Sequence, residues 1–164
     1  MINNSINIDS SDFKKIKTSN GITTIRISFF QRIPFNGILV QYHINGKLSK
    51  KETYKEGKLD GVVEHYYDNG QLMSREIYKG GESRHGLHEV YFNNGNLHLK
   101  SNYSNGKPLG TTEQYYEDGQ LEVKGISHNN GDYKYEFYNE NGHLTQIRTK
   151  IDGISNQEHF EENV

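Results

Sequence analysis

Four segments of this chain align with one another without a gap: GILVQYHINGKL from Gly37, GVVEHYYDNGQL from Gly61, GLHEVYFNNGNL from Gly86 and GTTEQYYEDGQL from Gly110. Their leading glycines lie 24, 25 and 24 residues apart. A period of this size marks an array of small supersecondary units that bury their faces by stacking on their neighbours. Five residues after each leading glycine comes Tyr42, Tyr66, Tyr91 or Tyr115. Nine after it comes Gly46, Gly70, Gly95 or Gly119, and eleven after it Leu48, Leu72, Leu97 or Leu121. Tyr54, Tyr78 and Tyr103 then recur, with Ser127 in the fourth copy, and Gly57, Gly81 and Gly106 close the first three. A fifth, degenerate copy reads YKYEFYNENGHL, with Tyr138, Gly142 and Leu144 in the same roles and one extra loop residue.

Each unit reads as a β-hairpin. Asn45-Gly46, Asn69-Gly70, Asn94-Gly95 and Asp118-Gly119 stand between short β-prone runs, and such dipeptides favour the left-handed conformations of tight hairpin corners. The leading glycines Gly61, Gly86 and Gly110 are expected to mark the turn into the next hairpin. The predicted fold is all-β: an elongated, twisted antiparallel sheet of tandem hairpins.

Two registers compete. With two-residue Asn-Gly turns, Glu64 lies opposite Arg75, Glu89 opposite Lys100 and Glu113 opposite Lys124, while Val40 meets Lys51. Tyr66, Tyr91 and Tyr115 share that charged face. A drier face then holds Tyr67 with Leu72, Phe92 with Leu97, Val90 with Leu99, and Tyr116 with Leu121 and Val123. With three-residue loops and a bulged glycine, the recurrent Tyr and Leu share one face and the charges pair diagonally. The threefold match of opposite charges favours the first register.

Composition agrees with the hairpins. The chain has no Ala, 17 Gly and 18 Asn, a poor set for helices and a good one for turns. It has no Cys, which excludes disulfides and thiol chemistry. Its net charge of −2 gives no global attraction for nucleic acid. No apolar run reaches membrane-helix length, and residues 1–12 lack the features of a signal peptide. A cytoplasmic setting is expected.

Little in the sequence selects a catalyst. His85 and His88 form an H-x-x-H pair with His98 ten residues on, but strand positions three apart face opposite ways. These histidines therefore read as solvated or half-buried surface groups. Glu64, Glu89 and Glu113 each have a predicted cationic neighbour, which suits structure better than proton transfer. Nucleophile elbows, phosphate loops and dinucleotide fingerprints are missing from the sequence. The expectation is a non-enzyme without cofactor or metal.

The tyrosines are more informative. Tyr42, Tyr66, Tyr91 and Tyr115 should line one face beside Glu64, Glu89, Glu113, Arg75, Lys100 and Lys124. These ten residues are the candidate partner-binding set, because tyrosine offers large amphipathic contact area at low entropic cost. The same rings could equally be the core of a thin sheet. Three divisions are expected: an N-terminal segment and capping strand over 1–36, tandem repeats over 37–153, and an acidic tail over 154–164. Within the first, residues 1–12 are expected to be loosely attached and Ile22–Phe30 to form a strand.

The pattern Gly61-Tyr66-Tyr67-Asn69-Gly70-Leu72-Tyr78-Gly81, with its copies from Gly86 and Gly110, resembles the MORN repeat in its bacterial variant form. The resemblance covers Gly37 to Gly153. It implies an elongated hairpin array and a binding role. Bacterial proteins of this variant are often grouped with YwqK-like antitoxin or immunity proteins, which neutralise a toxin partner. Other MORN proteins serve as scaffolds, homodimerising modules or adaptors at membrane lipid. The chain departs from the pattern at Ser127, around Asn139–Asn141, and at His43, which replaces the second aromatic of the first copy.

Overall fold

The structure, a computed structural model, describes residues 13–17, 23–27, 35–81 and 83–160. All its regular elements are strands: β1 (Phe13–Lys17), β2 (Thr23–Ile27), β3 (Gly37–Tyr42), β4 (Leu48–Lys55), β5 (Lys58–Tyr66), β6 (Leu72–Lys79), β7 (Ser83–Arg84), β8 (Gly86–Tyr91), β9 (Leu97–Ser104), β10 (Lys107–Tyr115), β11 (Leu121–Ser127), β12 (Tyr133–Tyr138), β13 (Leu144–Ile151) and β14 (Ile154–His159). Strands β1 and β2 pair by themselves, and β2 lies within the predicted Ile22–Phe30. From β3 to β14 the chain forms one open antiparallel sheet in sequence order, with β7 joined to β6 beside that path. The acidic tail contributes the last strand, β14. The expected loose attachment of residues 1–12 lies outside the described residues.

The Asn-Gly corners are three-residue loops. In the second copy, Gly70 N donates to Tyr67 O at 2.9 Å and Tyr67 N to Gln71 O at 2.9 Å. That is a type I turn closed by a bulged glycine. Only the glycine is left-handed, Gly70 at φ 91°. The asparagine is needed for its side chain: Asn69 Oδ1 accepts from Gln71 N at 2.8 Å. Asn45, Asn94 and Asp118 accept in the same way from Lys47, Asn96 and Gln120. The fifth copy turns at Asn139–His143 with the same bonds, so its corner has no extra residue. A three-residue loop, Asn129–Gly131, also joins β11 to β12.

The two-residue turns lie between copies. Glu56-Gly57, Asn105-Gly106 and Asp152-Gly153 all have both residues left-handed, with φ between 49° and 81°. This is the mirror-image turn that suits right-handed strand twist. Gly61, Gly86 and Gly110, expected in turns, instead lie within or at the start of strands, where two extra residues shift the ladder. In β5, for example, Leu59 pairs Tyr54 while Val63 pairs Glu52. The same shift at His85–Gly86 separates β7 from β8: Tyr78 pairs Arg84, whereas Ser74 pairs Val90.

Both competing registers therefore occur in every hairpin. Beside the corner Tyr66 pairs directly with Leu72, as a three-residue loop requires. A second bulge at Met73 then restores the two-residue count, so that His65 meets Ser74 and Glu64 meets Arg75. Leu72, Leu97 and Leu121 consequently share the face of Tyr66, Tyr91 and Tyr115. The assignment of these leucines to the drier face was wrong for that reason. The pairing of Val90 with Leu99 holds.

On the drier face one row crosses the sheet through Leu39, Glu52, Val63 and Glu76. It continues through His88, Ser101, Thr112, Gly125 and Tyr135. Glu52 is 2% exposed, Val63 3% and His88 6%. Phe35 and Tyr54 pack together at its β3 end with Leu39 and Leu59.

Candidate interaction face

The opposite face carries a ladder of alternating charge. Val40 meets Lys51, Lys51 meets Glu64, Glu64 meets Arg75, and Arg75 meets Glu89. The row continues through Lys100, Glu113, Lys124 and Glu136 to Ile147 and Glu158. All three predicted charge pairs are in direct register, and the ladder joins them from one copy to the next.

Contact within the ladder is uneven. Lys51 Nζ reaches Glu64 Oε2 at 3.2 Å, and Arg75 Nε lies 3.9 Å from the other oxygen. Lys134, from the adjoining row, reaches Glu136 at 2.8 Å. Lys100 and Lys124 close on no carboxylate among the described residues, and both are exposed. The predicted ion pairs of these two lysines are thus pairs of position only.

A second row holds the repeat tyrosines and leucines. Tyr66 donates its hydroxyl to Glu64 at 3.1 Å, Tyr115 to Glu113 at 3.1 Å, and Tyr138 to Glu136 at 2.9 Å. The spacing of two along a strand brings each pair to the same face. Partial burial, and then the neighbouring carboxylate, hold the Tyr66 and Tyr115 phenols above their usual range. All ten candidate binding residues therefore lie on one face, with Tyr42 the most open of its row at 57%. Tyr66 and Tyr115 are half-buried and hydrogen-bonded, so they serve both the fold and the surface.

The sequence reading passed over a third row. Ile38, on the other side of the ladder from Tyr42, begins a line that includes Val62, Ile77 and Ile126. Among the exposed large hydrophobics, Ile38, Tyr42, Ile126, Ile151 and Ile154 all project from the charged face. Only period-two alternation counted outward from the ladder would have found them.

The drier face holds its own polar cluster. Glu76 accepts from Tyr78 at 2.8 Å and from Arg84 at 3.2 Å, and lies 3.4 Å from His88 Nε2. The contact with His88 acts most strongly, ahead of Tyr78 and Arg84. Together they overcome the opposing effect of burial and pull the Glu76 carboxyl down to about 2. His88 stands edge-on to Tyr103, and Arg84 lies over that ring. His88 is therefore buried, contrary to the surface reading, while His85 is exposed on the other side. His98 stacks on Phe92 at 4.3 Å. Glu52, Glu76 and Ser101 occupy one repeat position, four residues after each repeat leucine, and that recurrence was the signal available for them.

In the second and fourth copies the second aromatic ties neighbouring hairpins. Tyr67 donates to Tyr91 O and Tyr116 to Tyr138 O, each at 2.8 Å. His43, which departs from the pattern, makes the same tie to Tyr66 O at 2.9 Å.

The profile described as MORN repeat variant matches residues 35–56, 59–79, 84–105 and 108–130, together more than half of the chain. The chain belongs to the MORN repeat variant family. No curated protein was found to match it significantly. The four matches cover β3, β4, β6, β8, β9 and β11 whole, β5 and β10 but for their first residues, and the start of the loop after β11. The MORN array of this chain is continued by β12, β13 and β14, in the same sheet. The repeats suggest a binding role.

Proposed function

We propose that this MORN repeat protein is a non-catalytic binding protein of the antitoxin or immunity type, which masks a toxin partner with its charged face. The observation that carries the reading is the concentration of exposed apolar side chains on that face. Ile38, Tyr42, Ile126, Ile151 and Ile154 flank a ladder of charges. Exposed apolar groups beside fixed charges are what a protein partner desolvates and reads for register. The repeat architecture supplies a broad rigid surface, as a masking protein needs.

The test is co-expression in the native host with the product of the adjacent gene. Growth arrest by that product alone, relieved by this chain, supports the reading. The variant Tyr42→Ala/Ile126→Asp should fail to relieve the arrest while retaining its β-sheet circular dichroism. Relief that survives the double substitution would place the contact elsewhere, and no arrest to relieve would remove the toxin assignment.

A further inference from the structure

The charged face has a symmetry that a single chain does not use. From β4 to β12 the ladder carries eight charges of strictly alternating sign, ending in Lys51 at one side and Glu136 at the other. An even number of alternating charges reverses sign when read backwards. The ten strands from β3 to β13, β7 being off the path, have their midpoint between β8 and β9.

We propose that two copies of this chain associate face to face, related by a two-fold axis parallel to the strands at the β8–β9 boundary. Such an axis sets Glu89 over Lys100 of the second copy and Arg75 over Glu113. It also sets Glu64 over Lys124 and Lys51 over Glu136. Each charge meets its opposite, and the contact is isologous, as a dimer requires. The uncharged ends agree with the same axis: Val40 falls over Ile147. The flanking rows agree as well. Tyr66 and Tyr115, paired in their own chains with Leu72 and Leu121, fall over Leu121 and Leu72 respectively. In the third row Val62 falls over Ile126.

Charge complementarity selects this arrangement over its alternatives. Rotation about an axis along the ladder would place every charge over its own copy, like on like. Lys100 and Lys124 close on no carboxylate of their own chain among the described residues, so their ammonium groups are available to the second copy. The exposed apolar groups beside the ladder supply the desolvated contact that ion pairs alone lack. The proposal uses the face assigned above to a partner but does not depend on the toxin reading. A partner seated there would compete with the second copy.

Sedimentation equilibrium of the full chain tests it. The dimer should be present at micromolar concentration in low salt and weaken as salt rises. Arg75→Glu and Glu113→Lys should each raise the dissociation constant roughly tenfold or more, because each creates like-charge contacts across the axis. Combining them should restore the dimer, since position 75 then again opposes position 113. Within one chain the combination only adds like-charge neighbours, Glu64 and Glu89 on one side and Lys100 and Lys124 on the other. A double variant weaker than both singles therefore overturns the proposal. So does a wild-type chain that is monomeric throughout, or singles that leave a dimer unchanged, which is the result expected of edge-strand pairing. A second measurement does not rely on charge. The chain has no Cys, so Arg75→Cys/Glu113→Cys can be treated with a bismaleimide too short to bridge the three strand spacings that separate these positions within one chain, about 14 Å. Covalent dimer from the double variant, and none from Arg75→Cys alone, is expected. The absence of covalent dimer from the double variant would count against the axis.

Discussion

The ring of Tyr135 packs so closely on Gly125, its direct partner across β11 and β12, that a Cβ on residue 125 would clash with its Cδ1, Cε1 and Cγ atoms. The phenol runs along β11 to Ser127, with Tyr135 hydroxyl and Ser127 Oγ 2.7 Å apart. In the second copy the same place is filled from within the strand, by Tyr78 bonded to Glu76. The fourth copy lost that tyrosine and its glutamate together, and the next strand supplies the ring. Gly125→Val should therefore lower stability by about 2–3 kcal/mol, the usual cost of overfilling a packed site. Adding Tyr135→Ala should cost less than the sum of the two single changes, because the clash is removed. Urea titration of the four chains measures this, and additive losses would show that the ring moves aside freely.

Two tyrosines at the same repeat position should respond in opposite ways to loss of the hydroxyl. Tyr54 is buried and its hydroxyl makes no hydrogen bond among the described residues; burial and the nearby Glu52 carboxylate raise its phenol well above the ordinary range. Tyr78 donates to the Glu76 carboxylate at 2.8 Å. Tyr54→Phe should leave stability unchanged or raise it by about 0.5–1 kcal/mol. Tyr78→Phe should lower it by about 1.5–3 kcal/mol, the range for a hydrogen bond to a charged group. Equal losses in thermal or urea unfolding would mean that Tyr54 has a partner in solution.

How much of this was legible in the sequence depends on the range of each interaction. Hairpins, strand order and the charged ladder follow from glycine spacing and from charges that recur with the period, both visible along the chain. The corner geometry was misread because Asn-Gly satisfies two turn types. What decides between them is the Asn69 Oδ1 bond to Gln71 N and the compensating bulge at Met73, and a dipeptide shows neither. The leucines changed face with that bulge. The burial of His88 was hidden for another reason: a histidine next to a shifted strand start gives no periodic signal, and its Glu76 partner lies across a junction where the chain has already left the ladder once. The ten-residue face was found because its members recur, and Ile38, Ile126 and Ile154 were missed because they do not.

Acid should weaken the Glu76 cluster. The folded carboxyl is held at about 2, chiefly by His88 and then by Tyr78 and Arg84, against an unperturbed value of 4.5. A carboxyl whose folded pKa is depressed favours folding fully above its unfolded pKa. It loses that contribution as pH falls through the folded one. The window is therefore from about pH 4.5 down to about 2, and the amount is on the order of 3 kcal/mol. Stability measured by urea titration across this window should fall in the natural chain. It should fall distinctly less in Glu76→Gln, which is already weaker at neutral pH. Parallel curves for the two chains would assign the acid sensitivity to other carboxylates.

Glu56 occupies the first position of a mirror-image turn at φ 52°, where Asn105 and Asp152 stand in the equivalent turns at 49° and 51°. Left-handed backbone is strained for most side chains and least so for Asn, Asp and Gly. The Glu56 contribution to the turn is its backbone N–H, which donates to Asn36 Oδ1 at 2.8 Å and is kept by any residue but proline. Glu56→Asn should raise stability by roughly 0.5–1 kcal/mol. A loss on thermal unfolding would reveal a role for the Glu56 carboxylate.

The tie between neighbouring hairpins is broken once along the array, and it can be mended. His43, Tyr67 and Tyr116 each reach the carbonyl of the next copy's repeat tyrosine, at Tyr66, Tyr91 and Tyr138. Phe92 stands at the same repeat position, between Tyr67 and Tyr116, and has no hydroxyl to offer Tyr115 O. Its ring is instead stacked on His98. Because the units are so alike, a hydroxyl added at Phe92 should meet that carbonyl as the hydroxyl of Tyr67 meets its own. Phe92→Tyr should then raise stability by about 0.5–1.5 kcal/mol, the net worth of one such bond, and Tyr67→Phe should lower it by a similar amount. In an array whose units contact mainly their neighbours, the effect should be local. Hydrogen exchange ought to slow at the β9–β10 junction in Phe92→Tyr and quicken at the β6–β8 junction in Tyr67→Phe. Slower exchange throughout the sheet would show instead that the hairpins unfold as one unit and that the tie acts on all of them together.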